Sequence, residues 1–255
     1  MIKLLYREIE LFTFPCGENN VRIKHLLAET GYNDIHRIYM KYENSNDIIN
    51  LLLLVDALRH LKNKEISLFI DYIPFSRQDR VCNTGEAFSL KVFADLINNC
   101  NFKTVHVIDP HSDVAGALIH NLQITEQHEV FKKYFKDKED FYLISPDAGS
   151  LKKIYKLAKE VNCLDVIECT KQRDMKTGEI LKTIVHSEYT LKGKDCYIID
   201  DICDGGKTFI EIAKILKLNN MSKIILMTTH GFFTKGLEVF DGLIDEIYTA
   251  DGQMK

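Results

Sequence analysis

Three acidic residues and a glycine-rich turn lie close together in the stretch 196–208, CYIIDDICDGGKT. Its polar and glycine positions are Asp200, Asp201, Asp204, Gly205, Gly206, Lys207 and Thr208. A glycine-rich turn before a helix presents backbone N–H groups and the positive end of the helix dipole to an anion. Adjacent carboxylates accept hydrogen bonds from sugar hydroxyls, or coordinate Mg²⁺ through water. A ribose that carries a 5-phosphate satisfies both ends, with its diol at 200–201 and its phosphate at 204–208.

The same stretch also fits a solvated acidic turn that leads into an ordinary capped helix. It is not the GxxxxGK[ST] phosphate-loop motif, because the first glycine of that motif is missing. The choice between a ligand site and a plain turn therefore depends on the surrounding elements.

Those elements alternate. Strand-like apolar runs lie at 66–70, 104–108, 141–144, 166–169, 197–199 and 224–227, and helical periodicity lies at 47–61, 87–97, 151–161 and 209–216. This alternation predicts an α/β fold with parallel sheets flanked by helices. We expect two similar domains, residues 1–135 and 136–255, divided in the charged stretch before residue 141. Parallel sheets bind ligands beyond the carboxyl ends of their strands, which is where the loops 71–80, 109–113, 145–150, 170–180, 200–208 and 229–233 begin.

Composition limits the classes of function. The chain has 255 residues, 45% of them hydrophobic, and a formal net charge of −4, so no global positive field attracts nucleic acid. No apolar run is long enough to span a membrane. The N-terminus lacks the pattern of a signal peptide, and seven cysteines occur without a CxxC pair. We therefore expect a cytoplasmic protein whose cysteines are reduced and buried.

Several motifs in a fixed order resemble those of ribose-phosphate pyrophosphokinases, whose fold is of the type I phosphoribosyltransferase kind. YIPFSRQDR at 72–80 is similar to the YxPYxRQDR stretch of that family, and VIDPHSD at 107–113 resembles its DLH segment. SPDAGSLKK at 145–153, TKQRD at 170–174 and FPCGE at 14–18 also match in order. The 200–208 stretch resembles the phosphoribosyl-diphosphate loop that this family shares with phosphoribosyltransferases.

The resemblance implies a Mg²⁺-dependent transfer of the β,γ-diphosphate of ATP to the anomeric hydroxyl of ribose 5-phosphate, giving phosphoribosyl diphosphate and AMP. It assigns transition-state stabilisation to Lys171 and Arg173, and metal binding to His111 and Asp147. The residues that it assigns to ATP are Phe14, Glu18, Arg77, Gln78, Asp79 and His111. The residues that it assigns to the ribose phosphate are Asp147 and the seven positions of the 200–208 stretch. It also implies a homodimer or hexamer, with Phe14 and Glu18 reaching the adenine of a neighbouring subunit.

The sequence also departs from the family pattern. The phosphate loop reads DGGKT where the family has DTAGT or DTGGT, so Gly205 replaces a hydroxyl residue and Lys207 adds a cation. Cys16 and Ser150 replace an aspartate and a glycine. Three alternatives therefore stay open: the same chemistry on a 5-substituted ribose such as ADP-ribose, a phosphoribosyltransferase, and a non-catalytic regulatory homologue.

Overall fold

Two units make up the chain, Met1–Thr125 and Glu126–Lys255. The structure, a computed structural model, describes residues 1–24, 36–61, 65–173, 180–186 and 193–255, without the side chains of 171–173 and 180–183. Each unit has a sheet whose central strands are parallel, with helices in the connections between them. The predicted α/β class is therefore confirmed. Within the described ranges, no helix is long and apolar enough to cross a membrane.

The first unit contains a mixed sheet. Its strands are β1 (Ile2–Leu4), β2 (Arg7–Glu8), β3 (Glu10–Thr13), β4 (Asn19–Arg22), β5 (His36–Met40), β6 (Ile66–Ile70), β7 (Thr104–Ile108) and β8 (Leu122–Thr125). Six of them form a sheet in the order β2-β1-β5-β6-β7-β8. Strands β5 to β8 run parallel, whereas β1 and β2 form an antiparallel edge. Strands β3 and β4 pair separately as an antiparallel hairpin.

Helices connect the parallel strands of the first unit: α1 (Asn46–Arg59), α2 (Ser89–Asn99) and α3 (Val114–Leu118). The apolar stripe of α1 faces the sheet, and Leu51, Leu54 and Leu58 are completely buried. Each such leucine stabilises the fold by about 1.5–3 kcal/mol relative to an exposed side chain. The carboxylate of Asp47 accepts hydrogen bonds from the backbone N–H groups of Glu43 and Asn44, at 2.8 and 3.1 Å, and so fixes the start of this helix.

The second unit has a sheet of seven strands. They are β9 (Phe141–Ser145), β10 (Val166–Arg173), β11 (Ile180–His186), β12 (Asp195–Cys203), β13 (Ile224–Gly231), β14 (Glu246–Thr249) and β15 (Gly252–Gln253), in the order β11-β10-β9-β12-β13-β14-β15. The five central strands are parallel, and β11 and β15 add antiparallel edges. The helices of this unit are α4 (Gln127–Phe131), α5 (Leu151–Glu160) and α6 (Lys207–Leu218), with 3₁₀ turns at Lys132–Phe135 and Glu238–Phe240.

Strand β12 lies at the centre of this sheet and is buried on both faces. Ile198 belongs to the apolar cluster on one face, whereas Tyr197 and Ile199 belong to the cluster on the other. A continuous apolar run is what a central strand of a parallel sheet requires, because helices cover both of its faces.

The boundary between the units falls after Thr125, earlier than the predicted division after residue 135. Its position follows from packing. Phe131 and Phe135 are buried in a cluster with Phe141 and Leu143, so α4 and the 3₁₀ turn after it belong to the second core.

Three predicted loops begin later than expected, because strand pairing continues through polar residues. Residues 170–173 belong to β10 and pair with β11, and residues 200–203 belong to β12. Likewise, 229–231 form the end of β13, where Ile202 lies opposite His230. Backbone hydrogen bonds of the ladder therefore outweigh the low strand propensity of aspartate at these positions.

Candidate active site

Three neighbouring strands of the second unit end at the same edge of its sheet. Strands β9, β12 and β13 are parallel and adjacent, and they end at Ser145, Cys203 and Gly231. The segments that follow them, 146–150, 204–206 and 232–236, therefore lie at one edge. This is the edge at which α/β sheets bind ligands, and it carries the predicted ribose-phosphate residues.

A cluster of carboxylates marks this edge. Asp200 and Asp201 are consecutive residues of β12, and the backbone N–H of Asp201 donates a hydrogen bond of 2.9 Å to the Asp200 carboxylate. Burial, and then the negative charges of Asp201 and Asp147, raise the pKa of the Asp200 carboxyl well above its usual range. The structure thus brings Asp147 near Asp200, although the two residues lie far apart along the chain.

The segment between β9 and α5 is held by Asp147 itself. The Asp147 carboxylate accepts hydrogen bonds from the backbone N–H groups of Gly149 and Ser150, at 3.1 and 3.3 Å. The hydroxyl groups of Ser145 and Ser150 donate hydrogen bonds to the Asp147 carbonyl, at 2.8 and 3.0 Å. The two hydroxyl oxygens lie 2.7 Å apart. Asp147 therefore shapes the turn before α5, while its charge also reaches the aspartate pair.

The turn after β12 requires glycine at one position. Gly206 precedes α6 and has φ +76°, a left-handed conformation that side chains other than glycine adopt at a cost. A Cβ atom at this position would overlap the buried ring of Phe240. The backbone N–H of Ile210 donates to the Gly206 carbonyl at 3.0 Å, so the helix begins directly at this turn. Lys207 and Thr208 are consequently the first two residues of α6, where the N–H groups lack helical partners.

The segment after β13 is hydrogen-bonded to the 204–208 turn, and no sequence motif predicted this contact. The backbone N–H of Phe232 donates to the Cys203 carbonyl at 2.8 Å, and that of Thr234 donates to the Asp204 carbonyl at 3.2 Å. The Thr234 hydroxyl donates a further hydrogen bond of 2.8 Å to the Asp204 carboxylate. The side chain of Lys235 lies beside Gly205. Thr234 and Lys235 are therefore site residues that the sequence motifs missed.

The hairpin of β10 and β11 extends past the end of β9. Glu168 is the last residue of β10 that pairs with β9, opposite Ser145, and the residues after it pair only with β11. The backbone of Lys171 and Arg173 therefore lies beyond the end of β9, at the edge that carries Asp147. The side chains of Lys171 and Arg173 lie outside the part of the chain that the structure describes.

In the first unit, two of the predicted ATP segments follow adjacent parallel strands. Residues 71–80 follow β6 and residues 109–113 follow β7, so both segments begin at the same edge. Arg77, Gln78 and His111 are exposed there, and Asp79 is half-buried beside Arg80, with 4.0 Å between its carboxylate and the Arg80 Nε. This edge presents cationic and polar groups to solvent, as a nucleotide site requires.

Backbone strain occurs in both of these segments. Phe75 has φ +62° and Asp109 has φ +40°, and Phe233 in the second unit has φ +46°. Bulky residues rarely adopt positive φ, and such conformations collect at functional sites. In all three cases the residue lies within a few positions of the end of a parallel strand.

The segment 14–18 forms a tight turn after β3. The N–H of Phe14 donates to the Glu18 carbonyl, and the N–H of Gly17 donates to the Phe14 carbonyl, both at 2.8 Å. Phe14 and Glu18 are exposed, and so are Cys16 and Cys82. The prediction that all seven cysteines are buried was therefore wrong for these two, and also for Cys163, which is half-buried.

Two family models match the chain, one on each side of residue 110. The N-terminal domain of ribose phosphate pyrophosphokinase matches residues 2–100, and the phosphoribosyl transferase domain matches residues 118–238. A ribose-phosphate pyrophosphokinase of Pyrococcus abyssi is 31% identical over 232 residues, which are 89% of this chain and 78% of the relative. The chain belongs to the ribose-phosphate pyrophosphokinase family. It is accordingly a transferase of the diphosphokinase type.

Other relatives agree with this family assignment. The ribose-phosphate pyrophosphokinase of Pyrococcus furiosus is 30% identical over 94% of this chain and 84% of the relative, and that of Sulfurisphaera tokodaii is 29% identical over 89% and 77%. The phosphoribosylpyrophosphate synthetase structure from Mycobacterium smegmatis covers 95% of this chain and 79% of its own, with a TM-score of 0.79 and 20% identity. That likeness supports the fold of this ribose-phosphate pyrophosphokinase family member.

Proposed function

We propose that the chain transfers the β,γ-diphosphate of ATP to the anomeric hydroxyl of ribose 5-phosphate and releases AMP. The anomeric oxygen forms a bond to the β-phosphorus, and the bond from that phosphorus to the oxygen bridging to the α-phosphorus breaks. AMP leaves with the bridging oxygen, and the proton of the anomeric hydroxyl passes to solvent. The family assignment supports the production of phosphoribosyl diphosphate, and the identities of the donor and of the metal are part of the proposal.

One observation carries the assignment of the sugar site: the carboxylates of Asp147, Asp200 and Asp201 interact at the edge where the 204–208 turn begins α6. Three like charges in a partly buried place are unfavourable unless a ligand offsets them. The hydroxyl groups of a ribose would donate hydrogen bonds to Asp200 and Asp201. The 5-phosphate would accept hydrogen bonds from the N–H groups of the 204–208 turn, where Gly205 and Gly206 permit close approach.

The donor chemistry of the second unit fits Mg²⁺. Among the described residues, no group of three or more His, Cys, Asp or Glu side chains forms a ready-made metal site. Mg²⁺ does not need one, because it keeps several waters and binds one or two carboxylates together with substrate phosphates. We propose that Asp147 binds the ion, and the metal-binding role that the resemblance implies for His111 stays a prediction. When bound, Mg²⁺ would neutralise charge on the diphosphate of ATP.

The remaining proposed roles concern ATP binding and stabilisation of the transition state. We propose that Arg77 and Gln78, both exposed after β6, bind the phosphates and adenine of ATP, with support from Asp79. Lys171 and Arg173 would stabilise the negative charge that develops on the transferred diphosphate, because phosphoryl transfer depends mainly on positioning and charge neutralisation. Phe14 and Glu18 would contact adenine across the interface of a homodimer or hexamer, which stays a prediction.

The purified chain should form AMP and phosphoribosyl diphosphate from ATP, Mg²⁺ and ribose 5-phosphate, as measured by coupled AMP release and by ³¹P NMR of the diphosphate product. Omitting the sugar or the Mg²⁺ should abolish both products. If AMP fails to form at saturating substrates, the proposed reaction is wrong for this chain acting alone.

The same assay separates the alternatives. AMP release with ADP-ribose in place of ribose 5-phosphate would identify a longer 5-substituent, which the small Gly205 and the cationic Lys207 could accommodate. Diphosphate release from phosphoribosyl diphosphate that needs a nucleobase and no ATP would identify a phosphoribosyltransferase. Activity that appears only when an active homologue is added would identify a regulatory subunit.

A further inference from the structure

Lys235 lies against the one glycine of the 204–208 turn that has no conformational reason to be glycine. No left-handed φ is found at Gly205, in contrast to Gly206. A Cβ atom built on Gly205 would lie 3.5, 3.6 and 3.8 Å from the Cε, Cδ and Cγ atoms of Lys235. The lysine stem therefore lies in the space that a larger side chain at position 205 would occupy.

The position of the stem also limits the position of the charge. The Cε atom is the closest of the three carbons, and the ammonium nitrogen is one bond further along, at about 1.5 Å. The ammonium group therefore lies within about 5 Å of the direction in which a side chain at position 205 would point. A second cation is thus present beside the turn, in addition to Lys207 at the start of α6.

The segment that carries Lys235 is fixed to the turn. Thr234, its neighbour, donates hydrogen bonds to Asp204 from both its backbone N–H and its hydroxyl. Lys235 is exposed, and none of the described residues forms a salt bridge with it or with Lys207. The backbone beside Lys235 is therefore fixed, and within the described ranges no carboxylate neutralises its charge.

We propose that Lys235 binds the phosphorylated end of the sugar substrate and that Gly205 is small in order to admit its stem. The inference rests on the proposed function, because it assigns a further residue to the proposed 5-phosphate site. Lys235 would supply from the 232–236 segment the side-chain donor that position 205 lacks. A charge-assisted hydrogen bond between an exposed lysine and a phosphate contributes about a tenfold gain in affinity.

The test is Lys235→Met, which keeps most of the stem and removes the charge. We expect the KM for ribose 5-phosphate to rise about tenfold while the KM for ATP changes less than about twofold. Lys235→Arg should restore most of the affinity. Lys214→Met, which removes an exposed lysine of α6 that forms an ion pair with Glu211, should change neither constant.

Calorimetric binding without ATP separates this inference from the proposed reaction. Ribose 5-phosphate and inorganic phosphate should bind the wild type about tenfold more tightly than Lys235→Met, whereas unphosphorylated ribose should not distinguish the two. If the wild type shows this difference without turnover, the reaction is wrong and the role of Lys235 stands. Equal phosphate affinity in the two proteins, or no phosphate binding to either, overturns the inference.

A second variant tests the link to Gly205. Threonine at position 205 would place two more atoms where the lysine stem lies, so Gly205→Thr should weaken ribose 5-phosphate binding in the wild type. The same substitution should cost much less in the Lys235→Met background, because contacting residues give non-additive effects. Equal costs in the two backgrounds would show that the stem and position 205 act independently, against the proposal.

Discussion

The hydroxyl of Thr234 donates a hydrogen bond of 2.8 Å to the carboxylate of Asp204, and the backbone N–H of Thr234 donates to the Asp204 carbonyl. A residue three positions after the end of β13 thus holds the first residue of the turn that follows β12. The geometry of the proposed phosphate site therefore depends on the neighbouring strand as well as on its own loop.

Thr234→Val removes the side-chain half of this connection and keeps the shape of the residue. We expect the KM for ribose 5-phosphate to rise about three- to tenfold, because the turn loses a hydrogen bond worth about 1 kcal/mol. Thr234→Ser retains the hydroxyl and should behave as the wild type. A change in the KM for ATP of the same size would indicate general loosening of the fold instead.

Asp200→Asn should stabilise the second unit at neutral pH, although it should abolish sugar turnover. The pKa of Asp200 is raised in the folded state, so the folded protein binds more protons than the unfolded chain between the two pKa values, and stability falls as pH rises through that window. The asparagine at position 200 does not ionise, so the stability of the variant should not fall in that pH window. Urea unfolding as a function of pH should therefore give equal midpoints in acid and a higher midpoint for the variant above the window.

The control for that comparison is Asp241→Asn, which removes an exposed carboxylate of the same unit whose partner is Lys255. Surface pairs of this kind contribute little, about 0–1 kcal/mol, so its midpoint should follow that of the wild type across the pH range. A wild-type advantage over Asp200→Asn at neutral pH would contradict the charge repulsion inferred for the carboxylate cluster.

Gly206→Ala should lower the free energy of unfolding by about 1–3 kcal/mol, because the new methyl group meets both a positive φ and the Phe240 ring. Gly205→Ala, one position earlier, should cost far less, since its Cβ would make ordinary contacts with the Lys235 stem. Chemical denaturation measures both. The double variant of Gly206→Ala with Phe240→Leu should recover part of the loss if the ring contact contributes to it.

Lys171→Ala should lower kcat about 10²–10³-fold and leave both KM values nearly unchanged, because Lys171 is proposed to interact with the diphosphate only in the transition state. Arg173→Ala should act in the same direction. Lys159→Ala, at an exposed position of α5, is the matched control and should retain full activity. An increase in KM without loss of kcat would assign Lys171 to ground-state binding.

Thiol labelling offers a test of the proposed ATP site without turnover. Cys16 is exposed in the 14–18 segment assigned to ATP, and Cys82 is exposed two residues after the 72–80 segment, whereas burial raises the pKa of Cys196 and Cys203 to about 12. At pH 8, two thiols should react rapidly with a disulfide reagent, and Cys16→Ser and Cys82→Ser should each remove one of them. MgATP should slow both reactions; equal rates with and without nucleotide would argue against the assigned segments.

Local patterns predicted much of the fold. The apolar runs located β6 and β7 correctly, because short runs rich in apolar and β-branched residues mark buried strands. The predicted ends of β10 and β12 were too early, because the last residues of these strands are polar and are held by pairing with other strands, β11 and β13. Local propensity carries no information on such pairing.

For the site, too, local sequence patterns predicted some residues and missed others. The motif around Asp200 pointed to a sugar and a phosphate because its chemistry is local. Thr234 and Lys235 could not be found in this way, since their role depends on the adjacency of β12 and β13, which only the sheet order reveals. The order of strands, and not a residue pattern, brings them to the turn.

Because Asp200 lies opposite Thr228 and Ile202 lies opposite His230 in the ladder of β12 and β13, the backbone of the acidic pair cannot shift without breaking that pairing. Any adjustment to a bound sugar must come from the surrounding turns. Amide protons of residues 197–200 should therefore exchange with deuterated solvent only as fast as the whole second unit unfolds, so that the acidic pair keeps the same backbone position with and without a bound sugar.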